Sequence, residues 1–144
     1  MRLYRNFDKL SNLHRGGSIA IGNFDGVHLG HREVIQTAGI MAKKYDMPWG
    51  VLTFEPHPRA YFKKGAPPFR LTPFHLKARY IEEMGVDFMV VLKFDGNLAK
   101  MSAEDFVNMI LVEGFRVKLV VSGGDFVFGN QRRGTMAFLE AKGT

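Results

Sequence analysis

Apolar positions along this chain fall into two alternating patterns. Four short runs rich in β-branched residues, 18–22 (SIAIG), 49–54 (WGVLTF), 86–92 (VDFMVVL) and 117–121 (VKLVV), have the length and unbroken hydrophobicity of strands buried on both faces. Between them the spacing becomes helical. In 31–45, Val34, Ile35, Ala38 and Met41 share one face. A second helix is predicted from Thr72-Pro73, a cap residue followed by proline at the first helical position. Its apolar positions are Leu76, Tyr80 and Ile81, and it stops at Gly85. A third opens at Ser102-Ala103-Glu104-Asp105, a capping box with Asp in place of Glu. It carries Phe106, Ile110 and Leu111 and ends at Gly114.

Strand, helix, strand, helix, strand, helix, strand predicts an α/β domain over residues 1–144: a Rossmann-like parallel sheet with right-handed crossovers and helices on both faces. The stretch after Gly134 (TMAFLEA) reads as the start of another helix, so the domain is expected to be truncated at its C-terminus. In such folds ligands bind outside the carboxyl ends of the strands. The segments that follow the four runs, 23–31, 55–70, 94–100 and 122–134, hold the Gly, Pro, His, Asp and Arg residues suited to that role.

Composition adds little beyond exclusions. With 46% hydrophobic and 24% charged residues the chain is ordinary for a globular protein. No apolar run approaches membrane-spanning length, no signal peptide is legible, and there is no cysteine for a disulfide or thiolate metal site. A cytoplasmic location without membrane partners is therefore expected. The net charge of +6 suits either solubility or anionic ligands. The basic residues are dispersed, with no block of five, which argues against a nucleic-acid partner.

The first post-strand segment carries the sharpest chemistry. In GNFDGVHLGHR, His28 and His31 flank Gly30 at the expected start of a helix. Free backbone N–H groups at a helix start attract anions, Gly30 lets a phosphate approach the backbone, and two imidazoles can donate to phosphate oxygens. The competing reading makes one histidine a helix cap and leaves the other solvated. Pro56-His57-Pro58 reads equally well as a stiff turn, Phe126 and Phe128 as core residues of an edge strand, and Arg132-Arg133 as solvated charge.

Taken together and in order, these motifs resemble the FMN adenylyltransferase module of prokaryotic bifunctional FAD synthetases, within the HxGH nucleotidylyltransferases. The residues that carry the resemblance are GNFDGVHLGHR, Thr53-Phe54-Glu55-Pro56-His57-Pro58-Arg59, Phe94-Asp95, Ser102 with Asp105-Phe106, and Gly124-Asp125-Phe126-Val127-Phe128-Gly129 followed by Arg132-Arg133-Gly134. The resemblance implies adenylyl transfer from ATP to FMN, giving FAD and pyrophosphate, with Mg2+ accompanying ATP. It implies an ATP site at Gly22, Asn23, Phe24, Asp25, Gly26, His28, Gly30 and His31, the two histidines being the catalytic pair. A flavin site is implied at His57, Pro58, Asp125, Phe126, Phe128 and Arg132, and no protein-held metal.

Three departures qualify the resemblance. The arginine frequent between the two phenylalanines is Val127 here, and residues 1–144 are expected to lack both the ISSTxxR segment and the riboflavin kinase domain. The fragment alone is accordingly expected to bind its ligands weakly, to form FAD near background and to self-associate. The alternatives are a non-catalytic nucleotide- or flavin-binding module and an adenylyltransferase for another phosphate acceptor.

Overall fold

The computed structural model describes residues 1–6, 10–24, 29–55, 74–93 and 96–122. Its strands are β1 (Arg2–Tyr4), β2 (Ser18–Ile21), β3 (Trp49–Glu55), β4 (Phe88–Lys93) and β5 (Leu119–Ser122). Its helices are α1 (Leu29–Lys44), α2 (Phe74–Glu83), α3 (Gly96–Lys100) and α4 (Ala103–Asp105), which runs on as a π-helical segment, Phe106–Gly114. The strands form one sheet in the order β1-β4-β3-β2-β5, and every pairing is parallel. The α/β, Rossmann-like architecture expected from the sequence is what the chain adopts.

Alternate residues of the central strands feed two cores. Ile19, Ile21, Leu52, Phe54, Phe88 and Val90 pack with Phe106, Ile110 and Leu111 of the π-helical segment. Ala20, Val51, Met89 and Val91 face the other way, onto Ile35 and Ala38 of α1 and Ile81 of α2. This period-two division between faces is why the runs read as continuously apolar. β5, half-buried throughout, forms one edge of the described sheet.

Three features differ from expectation. β1 was not anticipated: three residues with one buried side chain carry too little pattern, yet they pair with β4 from Arg2↔Phe88 to Tyr4↔Val90. The apolar stripe of α2 is shifted. Its buried residues are Lys77 and Ile81, while Tyr80 is exposed. The third helix starts where its cap predicts, with the Asp105 N–H donating to Ser102 Oγ at 3.1 Å, but soon widens. Phe115 N–H reaches back five residues to Ile110 O at 2.9 Å.

Candidate nucleotide site

The chain builds β2, β3 and β4 outward in one direction, then returns to lay β5 on the other side of β2. The order of strands therefore reverses between β2 and β5, and a parallel sheet opens a crevice outside the carboxyl ends at such a point. Register brings Ile21 of β2 level with Ser122 of β5 and with Leu52 of β3. The segment beginning Gly22-Asn23-Phe24 leaves the sheet beside that crevice.

Its conformation is tightly specified. Gly22 extends the ladder by one bond, its N–H donating to Leu52 O at 3.1 Å. A Cβ at Gly22 would lie 2.9 Å from the Phe24 ring, so glycine is required by close approach. Phe24 has φ 53°, left-handed backbone that a bulky side chain rarely adopts. Its ring is nevertheless buried, 2% exposed, and meets the His31 ring edge-on at 5.6 Å between centroids. His31 and Gly30 lie in the first turn of α1, at the positive end of its dipole. Asp46 and Arg116 share this left-handed backbone elsewhere in the chain, and of these three Phe24 is the one at the switch-point rim.

The carbonyl of Asn23 is the anchor of this turn. Thr53 Oγ1 donates to it at 3.1 Å and Lys77 Nζ at 3.1 Å. Lys77 Nζ also donates to Thr53 Oγ1 at 3.3 Å and pairs with Glu55 Oε1 at 3.1 Å. Both Thr53 and Lys77 are buried. Asn23 Oδ1, also buried, has no hydrogen-bond partner among the described residues.

Of the residues expected at the ATP site, the structure thus brings together Gly22, Asn23, Phe24, Gly30 and His31. Asp25, Gly26 and His28 lie outside the described residues, as do His57, Pro58, Asp125, Phe126, Phe128 and Arg132 on the flavin side. Lys77 was missed, although a signal existed. At helical spacing Phe74, Lys77, Ile81 and Met84 form one stripe, with a lysine where an apolar residue belongs. Among the described residues no group of three or more His, Cys, Asp or Glu could hold a metal ion, and no helix is long and apolar enough to cross a membrane. A shallow depression lined by Tyr45, Met47, Lys118 and Leu119 lies near the amino ends of β3 and β5, away from this rim.

A parallel sheet with a glycine-led turn and a histidine-bearing helix start at its switch point defines an α/β protein of the Rossmann-like class. The FAD synthetase family model matches residues 10–144, and the chain belongs to that family. It is 39% identical over 144 residues to the bifunctional riboflavin kinase/FMN adenylyltransferase of Escherichia coli (strain K12), covering 99% of this chain and 46% of the relative. The Haemophilus influenzae protein of the same name is 39% identical over 141 residues, covering 98% of this chain and 46% of the relative. The chain thus spans about half the length of these relatives. A crystal structure titled macrolide-efflux protein from Streptococcus pneumoniae superposes with a TM-score of 0.77 at 24% identity, over 96% of this chain and 45% of that one. That likeness concerns the fold.

Proposed function

We propose that this chain is an FMN adenylyltransferase module, residues 1–144, which takes ATP and FMN to FAD and pyrophosphate in the cytoplasm. The observation that carries the reading is family membership across 10–144 together with a glycine-led, left-handed turn packed against His31 at the sheet's switch point.

In the proposed reaction an oxygen of the FMN phosphate attacks the α-phosphorus of ATP. The bond from that phosphorus to the bridging oxygen breaks, and pyrophosphate leaves. The nucleophile is already an anion, so no strong base is required. The protein's contribution is orientation and charge stabilisation. His31 and His28 would donate to ATP phosphate oxygens, while the first-turn N–H groups of α1 supply an anion cradle. Gly22 to Gly26 would line the nucleotide. His57, Pro58, Asp125, Phe126 and Phe128 would form the flavin side, with Arg132 near the FMN phosphate. Mg2+ would arrive on the ATP phosphates, held by substrate oxygens rather than by a cage of acidic side chains.

Calorimetric titration of the chain with ATP and with FMN tests this. Replacing His28 and His31 together by alanine should weaken ATP binding by about tenfold or more, the equivalent of one or two charge-assisted hydrogen bonds. Phe128→Ala should weaken FMN and spare ATP. Unchanged ATP affinity in the double variant would remove the histidines from the site. Equal loss of both ligands in Phe128→Ala would make that residue part of the core.

A further inference from the structure

Lys77 is 1% exposed, and it contributes a charge where α2 otherwise packs apolar side chains onto the sheet. Burying an ammonium is costly, and a methionine of similar length would join α2 to β3 without that cost. A charge at this position needs another reason, and its contacts supply one. Three N–H donors of Nζ meet three acceptors: Asn23 O at 3.1 Å, Thr53 Oγ1 at 3.3 Å and Glu55 Oε1 at 3.1 Å. The Thr53 hydroxyl, accepting from Lys77, donates its own O–H to the same Asn23 carbonyl. The result is a closed triangle around one backbone oxygen, and the next residue is Phe24, in its left-handed conformation against His31. The third partner, Glu55, is the last residue of β3 and directly precedes Pro56-His57-Pro58 in the chain.

We infer that Lys77 is a positioning residue of the nucleotide site: its sealed ammonium fixes the Asn23 carbonyl to the end of β3, and thereby holds Phe24 in place against His31. The inference rests on the nucleotide-site reading for its functional meaning, but the geometry it describes exists without ligand. Lys77 touches no substrate in this account. It acts through the turn, and its pairing with Glu55 ties the segment after β2 and the end of β3 to one charged group. The element that carries it, α2, enters neither segment, so the residue that aligns the histidine helix comes from a different crossover.

The test uses the full chain and two readouts. One is the aromatic NMR resonances of His31 in the ligand-free protein, which sense the ring current of Phe24. The other is ATP affinity by calorimetry. Lys77→Met keeps the length and removes the charge. Its amide spectrum should stay dispersed, while the His31 ring signals move and ATP affinity falls by about tenfold. Adding Glu55→Gln neutralises the carboxylate left behind. The double variant should recover thermal stability lost in Lys77→Met, yet keep the altered His31 signals and the weakened ATP binding. Arg79→Ala, which removes an exposed pair with Glu83 on the same helix, should leave both readouts unchanged.

His31 signals that stay in place in folded Lys77→Met overturn the inference, as does a double variant that restores all three properties, since Lys77 would then be a structural ion pair alone. If Lys77→Met does not fold, Thr53→Val removes one donor to Asn23 O while leaving the charge pair. It should shift the same His31 signals in the same direction, and no shift overturns the inference. Failure of the unaltered chain to bind ATP would refute the nucleotide-site reading, while the His31 signals would still decide what Lys77 does.

Discussion

Phe24 concentrates the competing demands on this chain at one residue. A phenylalanine with φ 53° costs on the order of 1–3 kcal/mol relative to relaxed backbone, and the surroundings must over-determine it. They do so by burying its ring and anchoring the preceding carbonyl with two donors. Close approach also sets the cost of adding a methyl group elsewhere. A Cβ on Gly50 would collide with the Phe88 ring, which is fully buried and has the His14 ring stacked at 4.8 Å, so it cannot swing aside. Gly50→Ala should therefore lose about 1–3 kcal/mol in chemical denaturation, as overpacked cores do.

His14 is a third residue whose environment makes a measurable demand. Tyr4 Oη accepts the Ser11 N–H at 3.2 Å and lies 2.8 Å from His14 Nδ1, to which its own proton can be donated. Burial lowers the His14 pKa below its ordinary value of 6.5. The nearby Asp87 opposes this shift and Arg2 adds to it. The folded state thus binds its proton less readily than the unfolded chain. The neutral ring's contribution to stability is complete above 6.5 and is lost as pH falls through the lower folded value. Stability measured from about pH 7.5 down to about pH 5.5 should decline, and His14→Gln should flatten that slope relative to the parent chain. An identical slope in both would show that other groups titrate.

At the scale of elements, the cap that starts α4 makes a local prediction. Ser102 Oγ accepts the Asp105 N–H, so Ser102→Ala should cost about 1 kcal/mol while Ser102→Asp retains most of it. Thermal denaturation of the two variants separates these outcomes. This helix start was legible because capping chemistry is local in sequence. The four buried strands were legible for a similar reason, since a strand covered on both faces leaves an unbroken apolar run. α2 was misread because amphipathic reasoning assigns lysine to solvent, whereas tertiary acceptors on Asn23, Thr53 and Glu55 take Lys77 inward. β1 carries no local signal, because its place comes from pairing with a strand far along the chain. Of the candidate site, the motif around Gly22 and His31 could be found by residue type, but the carbonyl anchor beneath it belongs to residues brought together only by folding.

For the whole molecule, burial grades from the centre of the described sheet to its edges. β2, β3 and most of β4 are covered on both faces, whereas β1 has one buried residue and β5 none. Amide hydrogen exchange should therefore be slowest in β3, the middle strand of the five, and fastest among the strands in β1 and β5 at the edges. Equal protection across all five would mean that the sheet opens only by global unfolding.

The strand order also sets a timetable for folding. Pairing β2 with β3 brings Ser18 to Trp49, and pairing β3 with β4 brings Gly50 to Phe88, each across some 30–40 residues of chain. Docking β5 on β2 joins Ser18 to Leu119, across roughly 100 residues. The extra closure entropy is only about 1 kcal/mol, but such distant contacts must wait for the intervening chain to organise. The β2–β3 pair therefore has the head start. Thr53 then stands beside Asn23 while the other wall of the crevice is still being made, so the turn under His31 can take shape before the crevice it will serve is complete.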